Sequence, residues 1–182
     1  MTEKIACLDA AYSETSAGGA CALFSSWDAA KPEHVLTCRR GVAAAYEPGS
    51  LYKRELPVLL ELLHQLERLP ATIIVDGYVW LDGNHRPGLG AILYQALAQQ
   101  SAVVGVAKTS FGDKTSFGDK TSFGDASWCK PVIRGESQRP LFISAVGTDA
   151  EEAANSVRAM HGRHRIPTLL QLVDREARAA LR

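Results

Sequence analysis

Two short runs without polar alternation, TIIV at 72–75 and AVVGVA at 102–107, constrain this chain more than any other feature. A strand with one face in water alternates apolar and polar residues, whereas a strand buried on both faces does not. Between the two runs lies PGLGAILYQALAQQ at 87–100, a helical pattern. Parallel neighbours need such a crossover, while antiparallel ones can be joined by a tight turn. The trio therefore predicts a strand-helix-strand unit inside a covered sheet. A local competitor exists: TIIV and YVWL around Asp76-Gly77 also suit a hairpin with a two-residue primed turn. What separates the readings is the order of the remaining elements.

Upstream, KIACLDAAY (4–12), GACALFS (19–25) and HVLTCRR (34–40) read as strands, with turns at Gly18-Gly19 and across 28–32. Leucines recur at helical spacing from Leu51 to Leu69, which predicts a long amphipathic helix. Downstream, short strands at 131–134 and 141–144 precede helices at about 149–160 and 167–182. Three hairpin-connected strands followed by αβαβ suit an α/β mixed sheet flanked by helices. The ribonuclease H-like fold has that form, and it fits better than a purely parallel doubly wound sheet. In this order TIIV lies beside AVVGVA, and the hairpin loses. A chain of 182 residues, 46% hydrophobic, is enough for one domain with a substantial core, taken as 1–182.

Several classes are disfavoured. The longest apolar stretches fall far short of the ~18 residues of a membrane span. Met1-Thr-Glu-Lys is too polar for a signal peptide, and a cytoplasmic, monomeric protein is expected. Cys7, Cys21, Cys38 and Cys129 form no CxxC pair, so buried reduced thiols are expected in preference to zinc or disulfides. Twenty basic and twenty acidic side chains cancel, which argues against a high-affinity non-specific DNA binder. It does not argue against an enzyme whose clustered acids are offset by magnesium. Lys-Thr-Ser-Phe-Gly-Asp occurs three times without a break, at 108–113, 114–119 and 120–125. Six residues are too few for a helical solenoid repeat, and the Gly-Asp endings favour turns, so a loop is expected. A nucleic-acid-contacting arm is the functional alternative.

Four acids stand where acids are costly. Asp9 interrupts the strand IACLDAAY, where an ionised carboxylate costs several kcal/mol unless paired or metal-bound. Glu55 shares a helical stripe with Leu59, Leu62, Leu63 and Leu66 if the helix starts before Pro57, which would be tolerated in the first turn and would kink a helix interior. Asp76 ends TIIV, and Asp174 has Leu170, Ala177 and Leu181 on its side of a helix. Singly, each has a structural reading: Asp9 at a bulge, Glu55 with an exposed lysine, Asp174 with Arg178 at i+4. Together, on elements one sheet can gather, they suit magnesium, which prefers hard oxygen ligands. Such a site activates water and stabilises the leaving oxygen of a phosphodiester.

At these residues the chain resembles the endonuclease V family. The likeness runs from about Ile5 to Arg178 through LDAAY (8–12), YEPGSLYKRELP (46–57), IIVDG (73–77), RPGLGA (86–91), VVGVAK (103–108), RPLFIS (139–144) and RIPTLLQLVDR (165–175). It implies a ribonuclease H-like, metal-dependent nuclease cutting 3′ to inosine, one nucleotide beyond it, in DNA repair. Asp9, Glu55 and Asp76 would hold Mg²⁺, or Mn²⁺, with Asp174 and Lys108 completing the catalytic set. Tyr46, Pro48 and Gly49 match the family's strand-separating wedge, although an ordinary Pro-Gly turn would look the same. Gly77, Gly88 and Gly90 match regions that form the pocket for a flipped base, although two glycines can also merely start a packed helix. The partner implied is nucleic acid, inosine-containing DNA or RNA, without a membrane. A non-catalytic interaction module, or a nuclease acting on RNA or branched DNA, are the other readings. The chain departs from the family where histidines are usual. It has Tyr78 to Asp82 after the strand-end acid and Ile92 in the following helix, with His85 out of register.

Overall fold

The computed structural model describes residues 3–41, 52–110 and 128–182. The strands are β1 (Ile5–Tyr12), β2 (Ser16–Phe24), β3 (His34–Gly41), β4 (Thr72–Asp76), β5 (Ala102–Ala107), β6 (Lys130–Val132) and β7 (Leu141–Val146). The helices are α1 (Tyr52–His64), α2 (Leu89–Ala96), α3 (Ala150–Ala159) and α4 (Thr168–Ala179). The strands form one mixed sheet in the order β3-β2-β1-β4-β5-β7-β6. β1 runs antiparallel to β2, and β2 to β3, while β4 is parallel to both β1 and β5. β7 closes antiparallel onto β5 and β6. This is the ribonuclease H-like arrangement that the element order predicts.

TIIV is central and parallel on both sides, so the hairpin reading fails. Instead of turning back as a strand, the chain after Asp76 enters a loop in which Trp80 forms an isolated bridge with Pro87. The absence of alternation in β1, β4 and β5 has a simple cause: both faces are covered. Ile5, Cys7, Ile74, Val104 and Val106 pack with α3 and α4 through Ala153, Val157, Leu169, Leu170 and Val173. Ala6, Leu8, Ile73, Val75 and Val103 pack with α1 and α2 through Val58, Leu59, Leu62, Leu63 and Leu93. All four cysteines are buried free thiols, as expected.

Two helices differ from their sequence patterns. α1 continues through Pro57, which lies in the second turn rather than the first, and the Pro57 carbonyl accepts from Arg40 Nη1 at 3.2 Å. α2 starts two residues after Pro87 and ends at Ala96, short of the apolar pattern. Ala98 and Gln99 have φ of 50° and 62°, which no right-handed helix can contain.

A buried arginine sets the path between α3 and α4. Arg134 is 5% exposed, and its guanidinium donates to the carbonyls of Arg158, Met160, Gly162, His164 and Arg165. Five backbone acceptors converge on one planar donor and hold that connection in a fixed arch. Gly135, at φ 59°, allows the chain past it: a Cβ there would stand 2.1 Å from the Arg163 carbonyl oxygen.

Candidate active site at the parting of two strands

The β1–β4 ladder runs from Ile5↔Thr72 to Leu8↔Val75 and stops. β1 continues with β2 as far as Tyr12↔Ala17, and β4 with β5 as far as Asp76↔Val106. The two strands therefore part at Asp9 and Asp76, with their further neighbours on opposite sides of the sheet. Open α/β sheets bind ligands in the crevice at such a switch point.

Each helical layer brings another acid to this crevice. Glu55 comes from the first turn of α1, and with Asp9 and Asp76 it lines a small recess beside Leu8, Leu59 and Val75. On the other side Asp9 and Asp76 line a second small recess with Lys108, Ile166, Leu170 and Val173. Asp9 and Asp76 are thus common to both. Asp174, on α4, is close enough to Asp9 to disfavour its ionisation.

The charges at this edge are under strain. Burial pushes the Asp9 carboxyl up to about 7, Asp76 and Asp174 add repulsion, and the Ala10 amide, donating at 2.8 Å, only partly opposes them. Burial likewise pushes Glu55 up to about 8, reinforced by Asp9 and Asp76. Lys108 is half-buried; burial lowers its pKa, but the hydrogen bond to Asp76 and the surrounding acids outweigh this and raise it. Asp174 accepts from Arg178 Nε at 3.2 Å and Nη2 at 2.9 Å, the i+4 pairing that was its structural reading. It is half-exposed at the flank of the site rather than buried against the sheet.

The donor set fits a hard divalent cation in kind. Carboxylates that disfavour one another's charge become compatible when a cation sits among them. The Tyr12 hydroxyl, whose ionisation burial disfavours first and Glu55 and Asp9 further, has no hydrogen-bond partner among the described residues. Among those residues no three His, Cys, Asp or Glu side chains already close round a point, so the acids are gathered but not caged.

The other sequence candidates divide. Gly77 has φ 134° and donates to the Val106 carbonyl at 3.1 Å, so the turn out of β4 requires glycine. Gly88 and Gly90 serve close packing: a Cβ would lie 2.5 Å from the Tyr78 carbonyl oxygen or 2.7 Å from Val79 Cγ2. Their N–H groups donate to the Val79 and Tyr78 carbonyls at 2.8 and 3.1 Å, so those amides are not held out for an anion. Tyr46, Pro48 and Gly49 lie outside the described residues. His85 packs edge-on to Trp80 at 5.0 Å and lines neither acid-bearing recess.

Sequence reasoning passed over two residues that hold this edge in place. Ser144 is fully buried in β7, and its Oγ accepts from the Val79 N–H at 2.9 Å. Gly105 in β5 lies under the same loop, where a Cβ would come within 2.6 Å of the Gly77 carbonyl oxygen and 2.8 Å of Val79 N. The only sequence signals were a serine inside LFISAV and a glycine inside AVVGVA.

Comparison with known proteins bears on the fold and the family. The chain is 43% identical to the endonuclease V of Xylella fastidiosa over 63 residues, 35% of this chain and 25% of that protein. It is 26% identical to the endonuclease V of Bacillus velezensis over 147 residues, 74% of this chain and 60% of that protein. In both cases the match spans less than two thirds of the relative. The crystal structure of Ciona intestinalis endonuclease V, in complex with a 24mer DNA containing an inosine followed by a ribo-adenosine, superposes with a TM-score of 0.76 at 20% identity. That superposition covers 98% of this chain and 86% of the other. Since the family model for Endonuclease V also matches residues 1–175, the chain belongs to the endonuclease V family.

Proposed function

We propose that this protein is a magnesium-dependent endonuclease that hydrolyses a phosphodiester on the 3′ side of inosine in nucleic acid, a repair activity. The observation that carries this reading is the meeting of Asp9, Glu55 and Asp76 where β1 and β4 part, with Asp9 and Glu55 pushed up to about 7 and 8. An apolar structural role offers no reason to gather acids whose charges oppose one another. A cation does.

Asp9, Glu55 and Asp76 would hold the metal. When bound, magnesium supplies Lewis acidity that makes water a competent nucleophile at neutral pH and offsets charge on a leaving oxygen. Lys108, whose ammonium already lies at Asp76, offsets charge developing on the phosphate. Asp174, oriented by Arg178, accepts a hydrogen bond from the attacking water and aligns it. Support for inosine comes from family membership and from the inosine-bearing DNA in the Ciona complex. Tyr46, Pro48 and Gly49 take the wedge role by their place in the sequence.

A non-catalytic nucleic-acid module on the same fold draws support from one pair of contacts. Asp76 is paired with Lys108 and Asp174 with Arg178. One experiment separates the readings: labelled inosine-containing strands and matched controls, incubated with Mg²⁺ or EDTA. Cutting that needs both inosine and magnesium supports the nuclease. Binding without cutting in any divalent metal supports the module.

A further inference from the structure

The arch between α3 and α4 carries a second polar feature, which the carboxylate site does not use. A recess with about 740 Å³ of open space is lined by Glu136, Ser137, Arg163, His164 and Arg165. Its wall is fixed from behind by the buried Arg134, which draws the carbonyls of the arch inward. Arg163 and His164 are exposed, and their side chains make no hydrogen bond or ion pair among the described residues. Arg165 is anchored: Nη2 donates to the carbonyls of Lys108 and of Pro140, the latter at 2.7 Å. Its Nε is buried without a partner among the described residues. Two guanidiniums and an imidazole therefore face one carboxylate, Glu136, in a chain whose formal net charge is +0.

We infer that this recess binds a backbone phosphate of the nucleic-acid strand, flanking the phosphodiester presented to Asp9 and Asp76. The inference rests on the nuclease reading above. Guanidinium forks match phosphate oxygens, and phosphate contacts fix a strand's register without reading its bases. The bond from Arg165 to the Lys108 carbonyl ties the recess to the strand end whose side chain holds Asp76. A neutral chain has no global field to retain a polyanion, so a local cationic pocket beside the site supplies that hold.

The test is equilibrium binding of a short fluorescein-labelled strand to the full chain in EDTA, from about 50 to 200 mM salt. Arg163→Gln should reduce the slope of log affinity against log salt by about 0.7–0.9, one phosphate contact, and Arg163→Glu should weaken binding further. Arg175→Gln, an exposed arginine paired with Glu176, should leave the slope unchanged. In magnesium, Arg163→Gln should raise KM and spare the rate at saturating substrate. If the Arg163 and Arg175 variants behave alike in a wild-type background that binds and cuts, this inference falls and the nuclease reading stands. If the wild type binds no strand in a salt-dependent way, both fall. Replacing chloride by phosphate at matched ionic strength probes the free ion. Strand binding lost only in phosphate, and only while Arg163 is present, would reassign the recess to free phosphate and overturn the inference.

Discussion

Lys108 and Asp76 stand at the ends of neighbouring parallel strands, and the lysine ammonium hydrogen-bonds the carboxylate. With side chains 43% and 32% exposed, the pair belongs with surface ion pairs, whose stability contribution is about 0–1 kcal/mol. Its importance is positional. It places a cation on an acid that both recesses share with Asp9.

Asp76→Asn keeps the side-chain shape and removes its charge. Cutting in magnesium should fall by orders of magnitude, while the thermal midpoint of the metal-free protein stays level or rises as repulsion of Asp9 and Glu55 is relieved. Strand cleavage and circular-dichroism melts measure both. Wild-type cutting by the variant would remove Asp76 from the centre of the site.

The raised acids predict a pH dependence. Free carboxyls titrate near about 4, whereas Asp9 and Glu55 in the folded chain lie at about 7 and 8. Between those limits the native state binds more protons than the unfolded one, so stability falls as pH rises. Their contribution is fully present below about pH 4 and lost once pH passes through their folded values. In EDTA the melting temperature should therefore drop by several degrees from about pH 5 to pH 9. Magnesium should restore most of the loss at the alkaline end, and Glu55→Gln should flatten the EDTA profile. A flat EDTA profile in the wild type would mean that the acids are solvated.

The edge should also fail when its buttress is altered. Ser144→Ala removes the acceptor of the Val79 N–H, leaving a buried donor unpaired at a cost of about 1–3 kcal/mol. Gly105→Ala drives a methyl group against the backbone of Gly77 and Val79 and should cost about 1–3 kcal/mol by overpacking. Both should lower cutting more than an equally destabilising change far from the site, such as Ala153→Gly in α3. Urea melts paired with cleavage rates measure this, and a loss that merely tracks stability would reduce Ser144 and Gly105 to packing residues.

The contrast between what the sequence announced and what it concealed follows the range of the interactions. Unalternating TIIV and AVVGVA announced strands covered on both faces, and the acids within apolar runs announced a charged crevice, because each signal is local. Asp174 was legible only in part: its helical neighbours placed it on α4 facing the sheet, but the i+4 arginine drew it to the flank. The Ser144–Val79 contact joins residues 65 apart in sequence. Arg134 was read only as the end of a short strand, 131–134, whereas β6 stops at Val132; its five acceptors are carbonyls, which no side-chain pattern records. The recess at Arg163 was concealed for the same reason, since the arch that exposes it is folded around Arg134.

The KTSFGD repeats give the last prediction. Lys108 directly follows β5 beside Asp76, and the carbonyl of the exposed Thr109 accepts from the Tyr78 hydroxyl at 2.8 Å. The first repeat is therefore anchored at its start, whereas 111–127 lies outside the described residues. Lys114 and Lys120 occupy the same place in their repeats as Lys108 but lie outside the described residues. Loop-closure entropy changes by only roughly 0.6 kcal/mol per doubling of length, so removing two repeats alters stability little. Deleting 114–125 should preserve the fold and metal-dependent cutting. Lys108→Ala should reduce the rate by ~10-fold or more, the scale of removing one charge-stabilising donor, while Lys114→Ala and Lys120→Ala stay close to wild type. Cleavage rates and melts of the deletion and the three alanine variants decide it. A deletion that folds normally yet no longer cuts would make the repeats a substrate-binding arm rather than a tolerated loop.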